Sequence, residues 1–194
     1  MRRITTWCVL AATLAVSACA TMAPGPSEVP AAAATPFDLS GRVLVSYDGR
    51  AFSSSVRWQH AQQRDEIWLL SPVGQTLAYI DANTAGATLT AADQTQYSAA
   101  SVDTLTRQAL GWELPLAHLQ YWVRGEAAPF SAPEAVARDA ESKITALTQD
   151  GWRIAFLYFP AAEHGGLPRR LDLAQGSNQI RLVIDGWRRD SIVP

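Results

Sequence analysis

Two apolar runs on either side of a short turn constrain this chain most. Ile67 to Leu70 and Leu77 to Ile80 flank the sequence Ser71-Pro72-Val73-Gly74. Pro72 fixes φ and Gly74 can adopt positive φ, so the chain is predicted to reverse here in a β-hairpin. Both strands are apolar on both faces, which predicts that one face lies on a core and the other faces a second layer or an apolar cavity.

Further strand patterns occupy much of the chain. Asp48-Gly49 and Asp150-Gly151 are strong hairpin turns, each followed by a run of alternating apolar residues. A Pro- and Ala-rich connection is predicted from Glu126 to Ala137, and the spacing of Ile144 and Leu147 predicts a bulge. The strand signals add up to about eleven candidate strands in an antiparallel meander.

Two short amphipathic helices interrupt these strands. The first is predicted from Ser101, as N-cap, to Gly111, as C-cap, and the second begins at Pro115 and stops before Gly125. Their apolar stripes predict that Leu105, Leu116, Leu119 and Trp122 face the sheet. Strands, then helices, then strands indicate an α+β fold.

The N-terminal segment has the pattern of a bacterial export signal. Arg2 and Arg3 precede an apolar run from Trp7 to Val16, and small residues precede Cys19. Val16-Ser17-Ala18-Cys19 resembles a lipobox, in which the cysteine is acylated and becomes the mature N-terminus. The alternative is an ordinary secretory signal with a chance cysteine.

The segment after Cys19 is rich in small residues and cannot bury enough apolar surface to fold. Thr21 to Pro36 consists largely of Ala, Pro, Ser and Gly. We therefore predict a signal peptide over 1–18, a lipidated N-terminus with a flexible tether over 19–36 and one folded domain over 37–194. Ala20 after the cysteine is similar to the sorting pattern for outer-membrane delivery.

Composition excludes several classes of function. The formal net charge is −2 and Lys143 is the only lysine, so no basic surface for nucleic acid is expected. His60, His118 and His164 are widely spaced, so we predict no metal, no cofactor and no enzymatic activity. The pair Asp65-Glu66 is interpreted as an exposed strand start.

Several motifs resemble the outer-membrane lipoprotein receptor family, LolB, from about Phe37 to Trp187. They are Leu110-Gly111-Trp112 with Leu114-Pro115, Tyr121-Trp122-Val123-Arg124-Gly125, Gln149-Asp150-Gly151-Trp152 and Arg181-Leu182-Val183-Ile184-Asp185 with Trp187. The resemblance implies an incomplete antiparallel β-barrel with short helices covering an apolar cavity.

The same resemblance implies the function and its partners. Such a receptor accepts acylated lipoproteins from the soluble periplasmic carrier LolA and inserts them into the lipid of the outer membrane without ATP. We expect it to act as a monomer. The family's protruding loop, with an exposed Leu between Pro and Gly, matches Pro72, Val73 and Gly74, with Val in place of Leu. Glu126 stands where many relatives have an apolar residue.

Seven tryptophans allow two interpretations. Any one Trp is well explained as core, and a filled core would suit a lipid-anchored envelope scaffold or assembly protein. Together they exceed what one sheet face and two helices need, which favours an acyl-chain cavity. The predicted lining consists of Trp58, Leu69, Leu105, Leu116, Leu119, Trp152 and Phe156. Val73 is likewise either an exposed membrane probe or a minor core residue.

Overall fold

The computed structural model describes residues 34–61 and 63–188. The predicted signal peptide, Cys19 and most of the predicted tether lie outside these residues. Ala34 is buried with Tyr121 and Ala128, so packing begins before Phe37. The strands are β1 Phe37–Tyr47, β2 Arg50–Ala61, β3 Arg64–Leu70, β4 Thr76–Asn83, β5 Gly86–Ala91, β6 Gln96–Ala99, β7 Ala135–Arg138, β8 Ile144–Gln149, β9 Trp152–Tyr158, β10 Pro168–Gln175 and β11 Asn178–Arg188. The helices are α1 Val102–Leu110 and α2 Leu116–Trp122, with a 3₁₀ turn at His164–Gly166.

The strands form one antiparallel sheet in the order β6-β5-β4-β3-β2-β1-β11-β10-β9-β8-β7. The chain runs outward from β1 to one edge at β6. It then passes through α1 and α2, resumes at the opposite edge with β7 and returns to pair β11 with β1. β6 and β7 are not paired with each other, so the barrel is incomplete, and the predicted α+β fold is confirmed.

Alternation of side chains defines an inner and an outer face. On β3, Ile67 and Leu69 are buried on the inner face, whereas Trp68 on the outer face is only half-buried. The expectation of two fully buried faces is therefore wrong. The Trp68 ring lies 5.2 Å from the Tyr79 ring, centroid to centroid. The Arg57 guanidinium lies over the Trp68 ring, with its Cζ 5.2 Å from the ring centroid. These three side chains cover one another, so the outer face needs no second layer.

The register of strand pairing shifts at four places, among them the β1–β11 and β7–β8 pairs. The β1–β11 register shifts between Ser40 and Gly41, where a Cβ would overlap the backbone carbonyl oxygen of Val183. Only glycine allows the two backbones to approach this closely. Between β7 and β8, Ala137 faces Ala146 and Arg138 faces Ile144, so β8 has one extra residue at this point. This is the bulge that the sequence predicts.

The sequence predicts an irregular connection from Glu126 to Ala137, but strand β7 occupies its last three residues and Arg138. All four of its residues are exposed, because it is a short edge strand with no face on the core. No apolar alternation marks such a strand, and for that reason the pattern does not reveal it.

The helices begin and end where the sequence predicts. Ser101 Oγ accepts a hydrogen bond from the Thr104 N–H at 3.3 Å, and Gly111 ends α1 with φ 81°. Pro115 precedes α2, and Gly125 with φ 76° follows it. Among the described residues, no helix is both long and apolar enough to cross a membrane.

Candidate functional site

An apolar cavity of about 50 Å³ lies between the inner face of the sheet and the two helices. Strands β1 to β4 and β11 form one wall, and α1, α2 and their connection form the other. Apart from the Trp indoles, Thr106 is the only residue of this lining whose side chain can form hydrogen bonds. Its hydroxyl accepts a hydrogen bond from the Leu114 N–H at 2.9 Å. The lining is Val43, Phe52, Val56, Trp58, Ile67, Leu69, Ile80, Thr106, Leu110, Trp112, Leu114, Leu116, Leu119, Ile180 and Leu182.

The side of the cavity next to the β1–β2 hairpin adjoins a cleft and is called the mouth of the cavity. Phe52, Leu110 and Trp112 line both the cavity and a neighbouring cleft of about 230 Å³. That cleft is completed by residues near the hairpin turn, among them Tyr47 and Arg50. A ligand entering by this route passes between the end of α1 and the start of β2.

Four of the seven residues predicted for the acyl-chain cavity lie in this lining, namely Trp58, Leu69, Leu116 and Leu119. Leu105, Trp152 and Phe156 are buried in the core but do not line the cavity. The reason is visible at Trp152, whose ring packs 6.4 Å from that of Trp122 on α2, so the helix fills the space over β9.

Sequence reasoning did not identify the mouth. Phe52, Leu110 and Trp112 are only partly covered, and 37% of Leu110 is exposed. An apolar residue before a helix-ending glycine, with a Trp directly after it, was the available signal. The motif Leu110-Gly111-Trp112 carries that signal.

A buried carboxylate lies next to the cavity wall. Asp65 is 3% exposed and accepts hydrogen bonds from Trp58 Nε1 at 2.7 Å and Gln120 Nε2 at 2.6 Å, with His60 Nδ1 at 2.9 Å. The interpretation of Asp65 as an exposed strand start is therefore wrong. Its partners come from β2 and α2, and they fix the orientation of the Trp58 ring in the wall.

Its neighbour Glu66 serves the outer face instead. The Tyr79 hydroxyl donates to Glu66 Oε1 at 2.6 Å. Partial burial, and then this carboxylate, raise the pKa of Tyr79 to about 12. Tyr79 therefore stays protonated and keeps donating throughout the physiological range.

A second polar cluster fixes α2 and the chain after it. Gln149 is fully buried, and its Oε1 accepts from Trp122 Nε1 at 2.9 Å and from the Ala128 N–H at 3.0 Å. Its Nε2 donates to the carbonyl oxygens of Ala128 at 2.6 Å and Ser131 at 2.8 Å. One side chain thus satisfies four polar groups, a role that the local sequence pattern does not predict.

The predicted insertion loop projects from the sheet. The Gly74 N–H donates to the Ser71 carbonyl at 2.9 Å, and Gly74 has φ 80°. Val73 at the tip is 80% exposed, so it does not pack on the sheet as a minor core residue. Pro72 and Gly74 hold it in this position.

The histidines lie apart from one another. His60 contacts Asp65, His118 Nε2 lies 2.7 Å from Asp150 Oδ2, and His164 packs against Phe159. In the part of the chain that the structure describes, no group of three or more His, Cys, Asp or Glu residues could hold a metal ion.

A family model described as outer membrane lipoprotein LolB matches residues 35–187, which is most of the chain. The chain belongs to the LolB family. This confirms the resemblance found in the sequence motifs.

Relatives named outer-membrane lipoprotein LolB cover most of the chain. That of Nitrosomonas europaea is 39% identical over 80% of this chain and 74% of its own length. That of Thiobacillus denitrificans is 37% identical over 97% of this chain and 98% of its own length. A solved structure of a LolA superfamily protein from Nitrosomonas europaea has a TM-score of 0.49 and 6% identity, and covers 82% of this chain and 88% of its own.

Proposed function

We propose that this LolB-family chain is a lipid-anchored receptor that takes acylated lipoproteins from the carrier LolA and inserts them into the outer membrane. The observation that carries the proposal is the apolar cavity enclosed between the sheet and two helices in a chain of this family. Acylated Cys19 supplies the anchor, and the outer membrane is the place of action.

The cavity has to enlarge to accept an acyl chain. A cavity of about 150 Å³ takes up a ligand the size of benzene, and this one measures about 50 Å³. The sheet is joined by ladder hydrogen bonds, so the helical wall is the part that moves. Leu110 and Trp112 lie at the mouth and are the first to be displaced.

Burial of the cargo supplies the free energy for this opening. Each CH₂ group removed from water contributes about 0.8 kcal/mol, so a multiply acylated cargo is held strongly and is not released into water. Transfer therefore passes directly from one apolar pocket to the next and then to the bilayer, without ATP.

The Val73 loop delivers the cargo. Burial of one Val contributes about 1.5–3 kcal/mol, which is too little to anchor a protein but enough for reversible insertion into a bilayer. With 80% of Val73 exposed, no core contact has to break when the loop inserts.

The alternative is a lipid-anchored envelope scaffold with a filled core. The small resting volume of the cavity is the observation that favours it. The two functions differ in whether the protein takes up acyl chains.

Uptake is tested with the full chain carrying Cys19→Ala, so that no anchor contributes. In detergent-free buffer, this protein should take a fluorescently labelled acylated lipoprotein from LolA and should ignore the same lipoprotein lacking its acyl chains. Absence of uptake would leave the scaffold function.

Delivery is tested by substitution in the loop. Val73→Glu should leave uptake intact and block transfer into liposomes, and Val73→Leu should preserve transfer. The control is Ala85→Glu, in an exposed turn at the other end of β4. Transfer by Val73→Glu at the parent rate would show that the loop is not the delivery device.

A further inference from the structure

A groove of about 390 Å³ with arginine, serine and apolar residues in its lining lies on the outer face of the sheet, at the base of the Val73 loop. Strand register builds it in two rows. Arg181, Leu44 and Ser53 lie side by side across β11, β1 and β2. Val183, Arg42 and Ser55 form the next row, and Leu70, from which the loop begins, is the partner of Ser55 on β3. Pro72 of the loop completes the lining.

Arg42 and Arg181 line this groove from adjacent strands. They occupy diagonal positions on adjacent antiparallel strands, where Cα atoms lie roughly 7–8 Å apart, and their side chains are 65% and 50% exposed. Arg42 uses one Nη on Asp185, and Arg181 uses Nε on Asp172. A guanidinium has five N–H donors in a planar fork, so each arginine retains donors for an anion.

The groove also supplies hydroxyl groups and an apolar side. Ser53 is exposed and Ser55 is half-buried, and both hydroxyls can donate. Leu44 beside them is 39% exposed. Two guanidinium groups, two hydroxyls and an exposed leucine match a phosphate that is joined to an acyl-bearing glycerol.

The position of the groove identifies the source of that phosphate. When Val73 inserts into acyl chains, the base of its loop lies at the depth of the headgroups. Side chains beside that base therefore meet phospholipid phosphates, and arginine stems can lie along the interface while their heads stay polar.

We propose that the groove of Arg42, Ser53, Ser55, Pro72 and Arg181 binds the phosphate of a phospholipid headgroup while the Val73 loop inserts. This rests on the proposed delivery function and adds the lipid that the loop meets. Asp172 and Asp185 neutralise the arginines at a distance. Recognition therefore depends on short charge-assisted hydrogen bonds, not on a long-range field.

The test measures binding of the full chain carrying Cys19→Ala to two kinds of vesicle. One is phosphatidylethanolamine with phosphatidylglycerol, and the other is a digalactosyl lipid without phosphate. Arg42→Gln with Arg181→Gln should weaken binding to phospholipid vesicles roughly tenfold and leave binding to galactolipid vesicles within twofold. Val73→Glu should weaken both.

The control removes the same charge elsewhere. Arg64→Gln with Arg138→Gln changes two exposed arginines, on β3 and on the edge strand β7, and should leave binding to both vesicles within twofold. Arg42→Lys with Arg181→Lys, which keeps the ion pairs, should bind phospholipid between the parent and the glutamine pair. Melting temperatures verify that each variant is folded.

Three results would overturn the inference. One is undiminished binding of the Arg42→Gln, Arg181→Gln protein to phospholipid, and another is an equal loss on both vesicles. The third is saturable binding of inorganic phosphate to the parent without vesicles, followed by the amide NMR shifts of residues 42, 55 and 181. Lipoprotein uptake from LolA is measured separately. A parent protein that takes up no lipoprotein would contradict the proposed receptor function and not the groove.

Discussion

Helix α2 is attached to the sheet by polar side chains, and the end of α1 rests on it through apolar contacts. Gln120 bonds to Asp65, Trp122 bonds to Gln149, and His118 lies against Asp150. Among the described residues, α1 has no side-chain hydrogen bond to a strand. The bond from the Leu114 N–H to Thr106 stays within the helical layer.

This difference decides which helix of the helical wall can move. Moving α2 would leave buried polar groups without hydrogen-bond partners, and each such group costs about 1–3 kcal/mol of stability. Moving the end of α1 separates apolar surfaces, which an acyl chain can cover again. We therefore expect α2 to stay in place and the end of α1 to be displaced when the cavity opens.

The largest effect is expected where α2 is most firmly attached. Gln149→Leu leaves four groups without their partner, namely the Trp122 indole N–H, the N–H and carbonyl of Ala128 and the Ser131 carbonyl. Stability should fall by about 3 kcal/mol or more, measured by urea unfolding. Gln175→Leu is the control, because Gln175 makes one exposed bond to the Asp150 carbonyl. Equal losses in the two variants would remove the special role of Gln149.

A smaller loss is expected at the second attachment of α2. Asp65→Asn keeps the size of the side chain but replaces one carboxylate oxygen with an NH₂ group. That group cannot accept from Gln120 or, in the other orientation, from Trp58 and His60. We expect a loss of about 2 kcal/mol. Glu66→Gln, which disturbs the half-buried bond from Tyr79 and an exposed ion pair with Arg64, should cost less. Tryptophan fluorescence during unfolding measures the stability of both variants. A larger loss in Glu66→Gln than in Asp65→Asn would contradict the attachment of α2 through Asp65.

Substitution at the mouth, on the α1 side, should cost little stability and should speed the uptake of acyl chains. Trp112→Ala should cost about 1.5 kcal/mol, since the ring is only partly buried, and should increase the rate of acyl-chain uptake severalfold. Leu157→Ala, at an outward position that is 56% exposed, should leave the rate unchanged. Stopped-flow uptake of a fluorescent fatty acid measures both. Slower uptake by Trp112→Ala would place the entrance elsewhere.

The smallest effect is expected at the exposed end of α2. The Ser131 hydroxyl, and then His118, hold the pKa of Asp150 below its ordinary value near 3.8. The resulting stabilisation is present above that value and is lost as the pH falls through the lower, folded-state pKa. Asp150→Asn should therefore reduce the melting temperature slightly at neutral pH and leave it unchanged at the acid end. An equal reduction at every pH would assign the effect to packing.

The sequence predicted the features that local patterns encode. Alternation placed Trp58 on the apolar face of β2, and Ser101 with Gly111 set the bounds of α1. Periodicity also turned Trp152 and Phe156 inward, as observed. It does not tell where a helix fills the space above such residues and where it leaves a cavity.

The polar attachments escaped prediction because their partners are distant in the chain. Gln120 and Asp65 are 55 residues apart, and Trp122 and Gln149 are 27 apart. A buried Asp or Gln has the same local pattern as an exposed one until the fold supplies its partner. The lipobox, the tether and the residues of the site remain predictions.

Hydrogen exchange of the full chain carrying Cys19→Ala tests the central claim most directly. Amides at the end of α1, from Leu105 to Leu110, should exchange faster than those of α2, from Leu119 to Val123. Adding an acylated lipoprotein should increase exchange in the α1 segment and leave the α2 segment unchanged. Faster exchange in α2, or an equal response of both segments to the cargo, would contradict a fixed α2 and a displaceable α1.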